Sequence, residues 1–425
     1  MNVIRPGRRV APVAAGILLA LTAACSTSGN ATTSRAEAKV PDATATITPA
    51  NGTGKVRPDK GVAVTAANGV LDQVSVQGGG RAVDGVLSPD KKTWHTKWTL
   101  KPGTAYTVTA AAKNPAGKNT TVTSKFTTLK ASSTVKITDV IPSSRETVGV
   151  GMPITVNFDR PVSNRAAVEQ ALEVRSATPV EGAWRWITSQ QVIFRTKSYW
   201  HAHSAVSLVA HMSGVRAASG VYGVKDFTRN FTVGASHVAQ VNLKTHKSKV
   251  YVDGKLAKTI PVSGGTGGGD SHGNDFRTTS GTHLAMGKLA EVWMTSPNVK
   301  EGEAGYYHEL VLKDVQISNS GEYLHESPGE YDCLGKRNCS HGCVRQTPAG
   351  AKWFYSISQR GDVINISGTS RDLSWDNGWG YWQLSWKQWL KESAVKSVTT
   401  TQTPATPPAG NPATPAPGNP SPSHS

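Results

Sequence analysis

A chain of 425 residues exceeds one ordinary domain, so two to four domains are expected. Abundant Gly, Pro, Thr and Val, with few long apolar runs after the first thirty residues, favour all-β modules over helical bundles. The formal net charge of +17 suits anionic partners, but the Lys and Arg residues are scattered and form no dense basic run interleaved with aromatics, which argues against nucleic acid.

The chain opens with a positive segment, Arg5, Arg8 and Arg9, followed by a short apolar stretch over residues 13–24 that ends in small residues. Residues 1–24 therefore read as a secretory signal, too short for a comfortable membrane span. The sequence "LTAAC" resembles the lipobox of bacterial lipoproteins, in which the cysteine is lipidated; Thr22 departs from the usual Leu, which sits one place back as Leu21. Lipidation of Cys25 is favoured over a free thiol, because a lone thiol is seldom kept in an oxidising compartment. The expectation is an extracytoplasmic protein, lipid-anchored through Cys25 to the outer face of the cytoplasmic membrane, within the cell wall. Residues 25–43, rich in Ala, Thr and Ser, read as a tether.

Period-two patterning follows. In "YTVTAAAKNPAGKNTTVTSKF", Tyr106, Val108 and Ala110 share one face, "NPAG" supplies a turn, and Val122 and Phe126 lie on a return strand. "MPITVNFDRPV" and "QQVIFRTKSYW" repeat the grammar, and "FTRNFTVG" closes the second block much as "TSKFTTLK" closes the first. Two sandwich modules of immunoglobulin-like type are expected, at 44–130 and 131–234. Sandwiches carry no chemistry by themselves, so spacers are the plainer reading than ligand-binding modules.

A third block starts near 236. "QVNLKTHKSKVYVDGKLAKTIPVSGG" reads as a hairpin turning near residues 246–248, with a further strand after Asp253 and Gly254. Downstream, Thr347 as N-cap, Pro348 at the first helical position and Gly361 as stop mark a helix, with Trp353, Phe354 and Ile357 on its apolar face; "DVINIS" is a strand. In "SWDNGWGYWQLSWKQWL", Trp375, Trp379, Trp382, Trp386 and Trp389 are spaced 4, 3, 4, 3, one stripe on a helix that Gly378 and Gly380 weaken. A packed face against a neighbouring domain is favoured over a glycan or membrane surface. Residues 370–395 form this Trp-rich segment, and 396–425, rich in Thr, Pro, Ala and Ser, read as a disordered tail.

Between strands and helix lies "CSHGCV". Besides Cys25 there are three cysteines, Cys333, Cys339 and Cys343, and pairing leaves one over, which flags a reactive thiol. Cys343 is the natural odd one out. It follows "SHG" shortly before the helix N-terminus, where the dipole and free amides are expected to lower a thiol's pKa. Gly342 lets nearby amides converge on an oxyanion. His325, eighteen residues upstream, is the candidate base. A Cys339–Cys343 bridge, a zinc site of Cys333, Cys339, His341 and Cys343, and a merely buried His325 are the competing arrangements.

The stretch "HESPGEYDCLGKRNCSHGCVR" resembles the L,D-transpeptidase catalytic domain: a histidine, a gap of fourteen to seventeen residues, then Ser/Thr-His-Gly-Cys, a hydrophobic residue, and commonly Asn or Arg. His325, Ser340, His341, Gly342, Cys343, Val344 and Arg345 fit it, and the similarity extends over 236–369. The sandwich modules and the Trp-rich segment resemble the multidomain, lipid-anchored actinobacterial members. Arg345 stands where close relatives have Asn, and "RTTSGTH" lacks a proline often present there. The fold class expected is mainly β, with two immunoglobulin-like modules, a β-rich catalytic domain carrying a short helix after the nucleophile, and the Trp-rich segment.

The resemblance implies that Cys343 attacks the third-residue carbonyl of a peptidoglycan stem tetrapeptide and expels the terminal D-alanine. It implies that His325 is the general acid/base, oriented by the backbone carbonyl of Glu326, and that amides around His341, Gly342 and Cys343 hold the oxyanion. Tyr307 takes the place of a substrate-gating tyrosine, with Ser340, Arg345 and Met294 as further substrate-binding candidates. The amine of an acceptor stem then yields a 3→3 crosslink, carbapenem β-lactams acylate the thiol, and no metal or organic cofactor is needed. A water acceptor, giving an L,D-carboxypeptidase, and a non-catalytic wall-binding lipoprotein are the alternatives. With Cys343 wanted free, a Cys333–Cys339 disulfide is expected in an exported chain, the opposing expectation being that both stay reduced.

Overall fold

The computed structural model describes residues 40–403; the proposed signal, Cys25 and most of the tether and tail lie outside the described residues. The architecture is mainly β, as the alternating patterns require. In the first module, strands Thr44–Thr48, Ala63–Ala67, Thr93–Thr96 and Gly85–Leu87 form one sheet, and Arg81–Ala82, Val70–Gly78, Ala105–Lys113 and Asn119–Thr127 form the other. The anticipated hairpin pairs Ala105–Lys113 with Asn119–Thr127, and Tyr106, Val108 and Ala110 enter the core between the sheets. Ala43, read as tether, is buried in that core, because the apolar alternation begins one residue before the first strand.

The second module is built on larger side chains. Strands Ile137–Ile141, Ile154–Phe158, Gln191–Thr196 and Glu181–Trp186 face a second sheet of Thr147–Val148, Phe227–Val233, Ser204–Ala210 and Leu172–Ser176. Trp184, Trp186, Phe194 and Trp200 fill the space between them, and Leu284 and Val363 from the following domain join the same core. Part of the expected disordered tail is in fact ordered. Thr399–Thr400 pairs with Gly182 and Glu181 as an edge strand, and the Thr401 hydroxyl accepts from the Val180 amide at 2.9 Å. The unpaired edge of Glu181–Trp186 offers backbone donors and acceptors, and the tail's first residues satisfy them.

The third domain has nine strands: β1 His237–Asn242, β2 Lys247–Val252, β3 Lys255–Ser263, β4 Gly281–Leu284, β5 Gly287–Thr295, β6 His308–Gln316, β7 Tyr323–Glu326, β8 Val344–Gln346 and β9 Val363–Ser367. They form one sheet in the order β4-β9-β1-β2-β3-β8-β7-β6-β5. The hairpin expected from "QVNLKTHKSKV" is β1–β2, its turn falling two residues earlier than anticipated, over 243–246. The helix Pro348–Ile357 starts at the anticipated cap, where Thr347 Oγ1 accepts from the Gly350 amide at 3.2 Å. It ends at Ser358, not Gly361; Gly361, at φ +89°, instead makes the turn into β9.

The tryptophans do not form one helical stripe. Gly378 has φ +73°, and a side chain on Gly380 would meet the Ser374 carbonyl at 2.5 Å, so the chain there is irregular. Regular structure is limited to a 3-10 turn, Gly380–Gln383, and a short helix, Trp386–Leu390, with a Ser385/Gln388 capping box. Packing is nevertheless their role. Trp389 is fully buried and its indole N–H donates to the Ala183 carbonyl at 3.0 Å. The guanidinium of Arg195 lies over the rings of Trp382, Trp386 and Trp389 at 4.6, 5.5 and 4.9 Å.

Candidate active site

The turn before β8 is pinned from several sides. Ser340 Oγ donates to the Cys343 carbonyl at 2.6 Å and accepts from the Gly342 amide at 3.2 Å. Thr278 Oγ1 donates to the Gly342 carbonyl at 2.7 Å and accepts from the Gly265 amide at 2.9 Å. Gly342 sits at φ +137° with open space where a Cβ would stand, so the backbone conformation rather than crowding calls for glycine.

Cys343 follows this turn, and the expected help from the helix is absent. Strand β8 and the cap residue separate the thiol from the helix N-terminus at Pro348. Burial instead pushes the Cys343 thiol up to about 12; the charges of Glu322 and Asp314 push the same way, against the Tyr323 amide and Arg345. Sγ points at the Gly321 carbonyl, 3.6 Å away, as a neutral thiol would.

His325 enters from the adjacent parallel strand, β7, level with Arg345 on β8. It is 2% exposed, and its Nδ1 donates to the Glu326 carbonyl at 2.7 Å, which leaves Nε2 as the proton acceptor. Burial holds its pKa down at about 4, with the Glu326 bond opposing and the Arg345 charge assisting. Burial thus favours the neutral form of both the thiol and the imidazole. Both side chains line one cavity of about 540 Å³. Tyr307 lines it too, stacked on the His341 ring at 4.5 Å, and Phe276 meets that ring edge-on at 5.0 Å; Met294 projects from β5 into the same space.

The third element is the bridge. Cys333 and Cys339 are joined, with Cα atoms 6.3 Å apart, and Cys343 is the free cysteine among the described residues. The bridge consumes both sulfurs, which removes the Cys339–Cys343 pairing and the zinc site as arrangements.

Residues 236–366 match the family profile of the L,D-transpeptidase catalytic domain, and residues 53–216 that of a bacterial Ig domain. The chain is 32% identical over 365 residues to L,D-transpeptidase 2 of Mycobacterium tuberculosis, covering 84% of this chain and 86% of that protein. It belongs to the L,D-transpeptidase family. L,D-transpeptidase 5 of the same organism is 30% identical over 357 residues, or 82% of this chain and 77% of that protein. A solved structure of the L,D-transpeptidase LdtMt1 in complex with imipenem is 27% identical, covering 54% of this chain and 98% of that one, with a TM-score of 0.46.

Within this L,D-transpeptidase, two site expectations need correction. Ser340 is 1% exposed and its hydroxyl is spent inside the turn, so it shapes the loop rather than offering a free group to substrate. The Gly342 amide is spent on Ser340, whereas the amides of His341 and Cys343 are unpaired among the described residues. Arg345 borders the cavity, yet it is 4% exposed and pairs with Glu330, with Glu309 at 3.8 Å.

The sequence reading missed two carboxyls. Glu322 borders the cavity and accepts from the Thr279 amide at 2.7 Å and hydroxyl at 2.6 Å, with His283 Nε2 at 3.9 Å. Asp314 is fully buried on β6. The signal for Glu322 was an acidic residue two places before Leu324 in "GEYLH", where alternation sets it beside a buried neighbour; Asp314 gave no such signal, because Leu312 and Gln316 are not buried and the backbone leaves regular strand geometry at Lys313, φ +60°.

Proposed function

We propose that this L,D-transpeptidase forms 3→3 crosslinks in peptidoglycan through a thioacyl-enzyme on Cys343. The observation that carries the reading is the convergence of the one free thiol among the described residues and a histidine with Nδ1 tied to the Glu326 carbonyl on a single cavity. His325 Nε2 takes the thiol proton as Sγ attacks the carbonyl carbon of the third residue of a donor tetrapeptide. The oxyanion forms against the free amides of the turn. On collapse the bond to the terminal D-alanine nitrogen breaks, His325 gives that amine its proton, and a thioester remains. The side-chain amine of an acceptor stem then attacks the thioester, passes a proton to His325, and the thiol leaves reprotonated by it. Tyr307, stacked on His341, walls the donor side, and no step calls for a metal or organic cofactor.

Cys25, outside the described residues, is read as the lipid anchor, placing the enzyme on the outer face of the cytoplasmic membrane with the two sandwich modules as spacers. Replacing it by serine is expected to release the protein from membrane fractions. The deciding experiment incubates the mature chain with purified disaccharide-tetrapeptide and resolves the products by mass spectrometry. A 3→3 dimer supports the proposal, a disaccharide-tripeptide alone replaces it with an L,D-carboxypeptidase, and unchanged substrate with no carbapenem adduct on Cys343 leaves a wall-binding lipoprotein.

A further inference from the structure

Asp314 is fully buried, and neither carboxyl oxygen has a hydrogen-bond partner among the described residues. Neither Lys313 nor Lys288 pairs with it. Lys313 lies over the Tyr355 ring at 5.7 Å; Lys288 lies over the same ring at 5.0 Å and donates to the Tyr355 carbonyl at 2.9 Å. Across the ladder on β5 the facing residue is Leu289, which is apolar. An ionised carboxylate so placed gives up its hydration, and only its own backbone amide and the charge of Lys313 act in its favour. Burial accordingly pushes this carboxyl up to about 7.

Strand pairing puts it beside the reaction. Val315, the next residue after Asp314, faces Leu324, the residue just before His325, and Gln316 faces Tyr323. Arg345 stands on the other side of His325. The charge of Asp314 raises both Cys343 and Tyr323, Glu322 acts on the thiol with the same sign, and Arg345 with the opposite sign. Asp314 does not border the cavity and touches no substrate, so any influence on the chemistry runs through its neighbours.

We propose that Asp314 is a positioning residue that decides when Cys343 can give up its proton: the site reacts with this carboxyl neutral, and its ionisation holds the thiol back. The inference rests on the reading of Cys343 as the nucleophile. Around neutral pH one full charge appears or disappears behind the thiol while His325 stays neutral, so the buried carboxyl makes nucleophile availability a function of ambient acidity. A like charge close by disfavours the second ionisation, and here the second ionisation is the thiolate.

The test is the alkylation rate of Cys343 by iodoacetamide between pH 5.5 and 9.5, read by mass spectrometry of the Cys343 peptide, in the mature chain and in Asp314→Asn. The unsubstituted protein is expected to gain less than tenfold per pH unit between about 6.5 and 8, where Asp314 ionises. Asp314→Asn is expected to gain tenfold per unit throughout, to match it below pH 6, and to react about three- to tenfold faster at pH 8.5. Superimposable profiles, or a slower variant at pH 8.5, overturn the proposal. Carbon-13 NMR titration of the Asp314 carboxyl in the unsubstituted protein decides the matter if the variant misfolds: a midpoint near 7 supports it, and one in the ordinary carboxylate range, about 4, overturns it. Alkylation needs neither stem peptide nor turnover, so a failed crosslinking assay leaves this test intact.

Discussion

Two stretches of this chain drew the eye for opposite reasons, the turn at 340–343 and the Trp-rich stretch at 375–389, and the structure uses them in opposite ways. In the turn the Ser340 and Thr278 hydroxyls are committed to holding backbone shape, while Cys343 Sγ and two amides, the atoms to which the proposed chemistry falls, are left without strong partners. In the Trp-rich stretch the rings do the binding: Trp389 and Trp382 donate to the Ala183 and Gly151 carbonyls, and Arg195 is enclosed among three indoles. Chemistry and cohesion are thus assigned to different segments, and substitutions should separate them.

The largest effect is expected at the turn. Cys343→Ala should abolish acyl-enzyme formation and turnover while leaving the denaturation midpoint unchanged, since it deletes only a partly exposed thiol; residual turnover by a folded variant would reassign the nucleophile. His325→Ala should lower kcat/KM by about 10²–10⁴, the range for an acid–base group; a smaller loss points to another base, with His341 next in line. The opposite pattern is expected from Trp389→Ala, which should cost about 3–5 kcal/mol of stability, measured by urea denaturation, with kcat near normal in the molecules that remain folded. A large loss of kcat there would mean that the Trp-rich stretch shapes the cavity after all.

Acidity sharpens the contrast further. The folded His325 value lies near 4, below the 6.5 of an exposed histidine. Above about 6.5 both folded and unfolded chains carry it neutral, and nothing is lost. As pH falls from 6.5 towards 4, the unfolded chain binds a proton that the folded chain refuses, so stability drops, by about 2–3 kcal/mol between pH 7 and 4.5. Denaturation of His325→Gln over the same interval should lack that component. The smallest effect is expected from replacing Cys333 and Cys339 together by serine: closing so short a loop is worth about 2 kcal/mol or less. Thiol counting on unreduced, denatured mature protein should meanwhile find no free Cys333 or Cys339.

What was legible in the sequence were features that act locally. The hairpin at 105–127, the Thr347 cap and the spacing from His325 to Cys343 each depend on neighbours within about twenty residues, and the bridge followed from parity and compartment. What was not legible depends on the sheet order. Strand β8 follows the turn because β3 and β7 stand ready on either side to pair with it, and that pairing displaces the helix from the thiol. Asp314 and Glu322 become special only because the sheet brings their charges within reach of Cys343. The tryptophans kept their packing role but lost their helix, since glycines at 378 and 380 and the pull of Arg185 and Arg195 outweighed a spacing that periodicity alone would have accepted.

Strand β8 is three residues long, yet it alone joins β1–β3, β4 and β9 to β5–β7. The two parts of the sheet are stitched together by the very residues that follow the thiol. A chain in which only one part of the sheet has formed therefore does not bring Cys343 and His325 to one cavity. A local opening of that short seam would therefore disturb the turn at 340–343 before the longer strands on either side came apart.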